Sequence, residues 1–265
     1  MAISDEERKE FQLRIKPIKE KIAELMKKEK EDSIKAKSAE KYEEKKVLLA
    51  EQNIYIATLQ ISINTISVEM LETKNNDSLN DARKSIYKAI IHLEDLVTNT
   101  VDCPFSELEP KVQRLEGIGI ERRLHVIRKL GLVIQILVDA FGDNSKWKES
   151  FVEMRGRHAV VSKNMIDMKQ AYKDYFDHQS KVYEATVNTI RLIRSLLDKS
   201  ATEYRDRYEI ASHRLDDMRM AVNLLIANRR IAMILNDKDQ SEEIRKKALV
   251  WKTKMETDAK KGISK

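Results

Sequence analysis

The sequence is poor in residues that make tight turns, with 6 Gly and 3 Pro among 265 positions, where an average chain carries roughly 7 percent Gly and 5 percent Pro. All-β sandwiches, collagen-like chains and glycine-loop nucleotide-binding α/β domains all need more turn residues than these, so their absence leaves long helices. A single cysteine, Cys103, rules out an internal disulfide and agrees with a reducing compartment. The first ten residues are charged where a secretory signal would need an apolar run, so the chain reads as cytoplasmic. The longest apolar stretch, Leu130 to Val138, is broken by Gln135 and falls short of the roughly 20 residues that span a bilayer, so no transmembrane helix is expected.

What is present is charge and heptad spacing. Asp, Glu, Lys and Arg make up 35% of the chain. Ser4 followed by Glu7 has the spacing of a capping box, and Ile15, Ile18, Ile22 and Leu25 then run as a seam. Pro17 predicts either a kink in that helix or its true start. From Lys27 to Glu44 the seam turns polar, with only Ala36 and Ala39 as small apolar members, and is expected to be exposed.

Val47, Ile54, Ile61 and Val68 recur every seven residues, with Ala50, Ala57, Asn64 and Leu71 three further on. Ile56, Leu59, Ile63, Ile66 and Met70 form a second stripe, and two stripes mean contact on two sides. After Asn75-Asn76-Asp77-Ser78, where Ser78 or Asp81 could cap, Leu79 to Leu96 carries one face. Val101 to Pro110 reads as a bend and Gly117-Ile118-Gly119 as a joint. Gly131 sits on the following seam, where a missing side chain would admit a neighbouring backbone. Gly142 serves as a C-cap, with Asp143, Asn144 or Ser145 as the next N-cap.

From Trp147 to Leu235 the only Gly is Gly156 and there is no Pro. The seam there runs through Phe151, Met154, His158, Val161, Met165, Met168, Tyr172, Tyr175, Gln179 and Val182, slips in register across Tyr183 and Val187, and resumes as Ile190, Ile193, Leu197, Ala201, Tyr204, Tyr208, Ala211, Leu215, Met218, Val222 and Leu225. Continuity is favoured over a division at the second capping-box pattern, Ser200 and Glu203. The predicted fold is all-α: an elongated antiparallel helical bundle or coiled coil of three long legs, 5–74, 78–141 and 145–235, ending in a tail helix. The domains are then residues 1–241, the bundle, and 242–265, a basic amphipathic tail. In outline alone this resembles spectrin repeats and BAR domains.

The residues that could carry chemistry do not assemble into a site. Of His92, His125, His158, His178 and His213, three have an acid four residues earlier (Glu121, Asp174, Glu209), but catalytic zinc takes about three protein ligands and no Glu-x-x-His occurs. His158 and Gln179 read as polar seam positions that fix register. Cys103 beside Pro104 is a bend cysteine, and Gly117-Ile118-Gly119 lacks the third glycine of a dinucleotide loop. Tyr172 with Tyr175, and Tyr204 with Tyr208, could stack on bases but fit interhelical contacts better. No catalytic residue, metal or cofactor is therefore assigned.

Charge is more informative. Residues 245–265 hold eight basic side chains against Glu256 and Asp258, an excess equal to the +6 of the whole chain, so the remainder balances. A neutral body argues against nucleic acid as partner. The expected function is a non-enzymatic helical scaffold or adaptor that binds protein partners and forms a homo-oligomer, with a BAR-like anionic membrane surface as the alternative. The candidate contact residues are Arg245, Lys246, Lys247, Trp251, Lys252, Lys254 and Met255, with Trp251 as an anchor for a partner groove or for the bundle itself.

Overall fold

The structure, a computed structural model, describes residues 4–36, 40–142 and 145–262. Among these the regular elements are helices: α1 (Asp5–Ala36), α2 (Tyr42–Leu71), α3 (Asn76–Glu94), α4 (Phe105–Gln113), α5 (Ile120–Phe141), α6 (Lys148–Asn164), α7 (Met168–Phe176), α8 (Tyr183–Arg207), α9 (Leu215–Ile234) and α10 (Lys238–Lys260). A π-helical turn, Tyr208–Ser212, follows α8 directly. The chain is an all-α helical bundle. It divides into two compact units, one from residues up to Leu96 with Val126–Lys146, the other from Val97–His125 with Trp147 onward, a division that does not separate the tail at 241.

In the first unit the Ser4 and Glu7 box starts α1. Glu7 Oε2 accepts from the Ser4 backbone N–H at 2.8 Å, and Ser4 Oγ accepts from the Glu7 N–H at 3.2 Å. The Ser4 N–H and then the Ser4 hydroxyl, which also donates to Glu7 Oε2 at 2.9 Å, hold the Glu7 carboxyl below its ordinary range. Pro17 lies inside α1, so the helix starts well before it. The expected leg 5–74 is two helices, with α1 packed along α2. The reason lies in the polar run from Lys27 to Glu44, which offers no apolar seam to carry a longer helix forward. Most of that run is exposed as expected, while Glu29 and Ala36 are buried; Ala39 lies outside the described residues.

Both stripes of α2 are used. Val47, Ala50, Ile54, Ala57 and Ile61 are buried on one, and beside them Gln60 Oε1 accepts from Ser85 Oγ of α3 at 2.9 Å. Ile56 and Ile63 pack with Phe11, Ile15 and Ile22 of α1, and Leu59, Ile66 and Met70 border that cluster. The second stripe is thus covered by the chain's own first helix, which removes the uncovered face that suggested self-association. By length and composition α2 could cross a membrane. Its apolar run is interrupted by Asn53, Gln60 and Asn64, whose side chains are buried within the unit. Asn75 caps α3 by accepting from the Ser78 N–H at 3.0 Å, in place of Ser78 or Asp81.

In the second unit the expected bend at Val101 to Pro110 is partly helical, since Pro104 precedes α4 and Pro110 lies within it. The continuous helix expected over 145–235 is broken three times. Asp167 Oδ1 accepts from the Lys169 and Gln170 N–H groups at 3.0 Å each and starts α7. Asp177 Oδ1 accepts from the Gln179 N–H at 2.9 Å and turns the chain before α8. At the third break, His213 takes a left-handed conformation with φ 50° after the π turn. Each break uses a local side-chain or backbone device in place of Gly or Pro. Tyr172 and Gln179 are accordingly exposed, off the seam that holds from Phe151 to Met168, and Ala211 is exposed as well. Ser200 is buried within α8 and caps nothing, so the helix is continuous there. Of the candidate caps after Gly142, Asp143 and Asn144 lie outside the described residues.

Candidate functional site

The sequence-predicted contact residues all lie on α10, which packs along α9. Asp237 Oδ1 starts it by accepting from the Gln240 N–H at 3.3 Å, and Arg194 of α8 ties the same end through Asp237 at 3.2 Å. Ile244, Ala248 and Trp251, spaced four and three apart, are buried in the core shared with α8 and α9. Trp251 is 6% exposed. Its ring meets the Arg205 guanidinium at 5.5 Å and Lys247 Nζ at 5.0 Å, so it anchors the chain's own bundle and presents nothing to a partner. Met255 packs half-buried against the same core.

The basic residues are largely engaged. Lys247 pairs with Asp198 at 2.9 Å, Arg245 with Glu242 at 2.7 Å, Lys254 with Asp258 at 3.2 Å and Lys252 with Glu256 at 4.0 Å. Asp258 also accepts from the Tyr208 hydroxyl at 2.9 Å, which fastens the far end of α10 to the π turn. Burial and that carboxylate push the Tyr208 phenol up to about 12. Of the seven predicted residues, Lys246 alone stands on the outward face without an ion pair among the described residues. Beside it sequence reasoning passed over Leu249, 56% exposed, and Val250, 66% exposed. The signal that could have found them is their phase, about half a turn away from Ile244, Ala248 and Trp251.

Two polar constellations were also missed. In the second unit Lys163, at the end of α6, is 1% exposed. Its ammonium donates to the Val101 and Cys103 carbonyls at 3.1 Å each and lies 5.2 Å from the Phe105 ring. Asn164 beside it donates to the Thr98 and Thr100 carbonyls at 2.8 and 3.2 Å. The connection from α3 to α4 is therefore wrapped around two side chains that satisfy its backbone, as buried carbonyls require. Burial brings the Lys163 amine down to about 8.

Below about 8 both the folded and unfolded chain hold this proton, and between about 8 and the ordinary 10.5 only the unfolded chain does. The Lys163 contribution to stability therefore rises with pH across that window. In urea titrations, the difference in stability between wild type and Lys163→Met is expected to shift toward wild type from pH 8 to pH 10; a flat difference would mean the amine is not desolvated. Asn164→Ala should cost about 1–3 kcal/mol, since it strands two carbonyls.

In the first unit a charged chain joins three elements. Lys88 of α3 approaches Glu29 of α1 at 3.3 Å, Glu29 approaches His92 Nε2 at 3.5 Å, and Lys46 of α2 lies 3.5 Å from His92 Nδ1 and 2.6 Å from Asp95. Burial, with the Lys46 charge adding to it, lowers the His92 imidazole from its ordinary 6.5. Above 6.5 neither state holds the proton. As pH falls below it the unfolded chain is protonated first, so stability drops. His92→Gln should flatten the pH dependence of the melting temperature between neutral and mildly acidic buffer; an unchanged slope would place its origin elsewhere.

The remaining candidates lie apart from one another in sequence, and His125 is exposed. His158 is buried, His213 meets the Tyr208 ring edge-on at 6.3 Å, and His178 lies against Tyr183 at 4.7 Å. Among the described residues no three His, Cys, Asp or Glu are grouped to hold a metal ion. Burial raises the Cys103 thiol, the opposite of what activates a nucleophile. Tyr204 and Tyr208 are buried and offer no face to a base. A shallow cleft of about 220 Å³ opens between α4 and the start of α7, lined by Phe105, Val112, Ile166 and Met168, and the Lys169 and Glu109 pair borders it at 3.4 Å.

An all-α bundle whose interior polar groups brace its own helices is the class that these observations define. Within that class the sequence profile of the TP0443 family matches residues 7–259, and the chain belongs to this family. No curated protein and no solved structure matches it.

Proposed function

We infer that the protein is a non-enzymatic helical adaptor, cytoplasmic, that works through protein contacts on the outward faces of its helices. The observation that carries this is the pairing of large apolar side chains on faces the bundle leaves open. Leu132 and Ile136 stand four apart on α5, Leu48 and Tyr55 seven apart on α2, and Leu249 and Val250 side by side on α10, all exposed. Scattered single exposed apolar residues are ordinary, but pairs at helical spacing, as on α5 and α2, are the form in which one helix presents a seam to another. The interior charges support the same reading, because Lys46, Lys163, His92 and Glu29 hold elements together within their own unit. Homo-oligomer formation rests on the same outward pairs, since α1 covers the second stripe of α2.

Cross-linking of the full chain in its own cells, read by mass spectrometry, tests the reading. Cross-links from Lys246, Lys129 or Lys45 to a small set of proteins or to a second copy are expected. Cross-links confined to within one chain would overturn it.

A further inference from the structure

We propose that the outward face of α10 is a docking strip for an acidic amphipathic helix of a partner protein. This rests on the adaptor reading and names its partner's chemistry.

Lys246, Leu249, Val250, Thr253, Thr257 and Lys260 share one side of the 23-residue α10, each lying three or four residues from another member. All six are exposed. The two aliphatic side chains lie one turn from Lys246, the two threonines continue the line, and a lysine closes each end. Lys246 and Lys260 make no ion pair among the described residues. The opposite face of α10 is held in the core by Ile244, Ala248 and Trp251, and its two ends are fixed by the Arg194 and Asp237 pair and by Tyr208 and Asp258. The strip is therefore presented on a rigid support, which lowers the ordering cost of binding.

Charge and width select the occupant. Residues 245–265 carry a formal excess of +6, so the strip lies on a positive segment of the chain. A helix with Leu along one seam and Glu beside it would cover Leu249 and Val250 and meet Lys246 and Lys260 with opposite charge. A second copy of α10 would bring lysine against lysine. A membrane is favoured less, because a helix lying in a lipid interface needs a broad apolar face, and the broad face of α10 is the one turned inward.

The test uses the full-length chain and two labelled three-heptad helical peptides with Leu at both seam positions, one flanked by Glu and the other by Lys. Fluorescence anisotropy should show saturable binding of the Glu peptide, weakened by salt. Binding should fall at least about tenfold in Leu249→Ser/Val250→Ser and in Lys246→Glu/Lys260→Glu, with helicity and melting temperature unchanged because all four positions are exposed. Leu13→Ser, on the open face of α1, should bind as wild type does. The proposal is overturned by absent binding of the Glu peptide, by equal binding of the Lys peptide, by full binding in both double variants, or by binding to anionic phosphatidylserine vesicles without binding to the peptide. If the peptide fails while cellular cross-links map to α2 or α5, the strip is refuted and the adaptor reading stands; if no inter-protein cross-links form either, both fall.

Discussion

A chain that ends after Asn236 is expected to lose the cooperative fold of its second unit. α9 lies along both α8 and α10, and it buries residues on more than one side, including Ala221, Val222, Leu224, Leu225, Ala227, Ile231 and Ala232. Without α10 the side that meets Ile244, Ala248 and Trp251 is opened to water, and each large apolar side chain so exposed forfeits about 1.5–3 kcal/mol. The Arg205 and Trp251 contact and the Tyr208 and Asp258 bond go with it. Marginal domains have about 5–15 kcal/mol in all, so the loss is of the size that unfolds one. The point variant Trp251→Ala should cost about 3–5 kcal/mol and show as a lower urea midpoint. An unchanged melting curve in the truncated chain would mean that α10 is a detachable arm. The tail looks detachable in the sequence because net charge is additive along a chain, whereas ion pairs such as Lys247 with Asp198 depend on which helices meet.

What the sequence makes legible is what depends on local spacing. The Ser4 and Glu7 cap is visible because a capping box needs two side chains three residues apart. The two stripes of α2 are visible because heptad phase is a property of one helix. The partner of a stripe is not visible: whether Ile56 and Ile63 meet α1 or a second copy depends on where the chain reverses, and the sequence between α1 and α2 carries neither Gly nor Pro. The breaks at Asp167 and Asp177 were legible in principle, since Asp with free backbone N–H groups two and three residues on is an N-cap or Asx-turn signal. Heptad continuity across Met168 outweighed it. Lys163 and His92 were not legible at all. A lysine inside a helix is ordinarily a surface residue, and only the arrival of the Val101 and Cys103 carbonyls from elsewhere in the chain makes burial of its amine tolerable. The candidate site divides in the same way: α10 was found by its charge and amphipathic pattern, but Trp251 and Met255 turn inward while Leu249 and Val250 turn out.

Gly156→Leu is expected to destabilise the second unit by more than about 3 kcal/mol. Gly131 drew attention because it falls on an apolar seam, and it is half-buried. The close approach that the structure describes is at Gly156, where an added Cβ would stand 2.5 Å from Tyr204 Cε2 and 3.0 Å from its hydroxyl oxygen. The ring has little room to retreat. Tyr204 is buried, the Arg207 guanidinium lies 4.7 Å from its centroid, and Arg155 and Glu203 pair across α6 and α8 at 2.8 Å on the adjoining residues. Even Gly156→Ala should destabilise, because overpacking costs about 1–3 kcal/mol while the gain in helix propensity is about 1 kcal/mol. The two contributions separate in a double-mutant cycle. In a Tyr204→Ala background, itself destabilised by about 3–5 kcal/mol, the ring that opposes the new methyl is gone and only the propensity gain remains. Gly156→Ala should there raise the urea midpoint, reversing its sign, with a coupling of at least about 1 kcal/mol. Equal effects of Gly156→Ala in the two backgrounds would show that α6 and α8 do not approach through this pair, and would remove the steric reason for a glycine in the middle of α6.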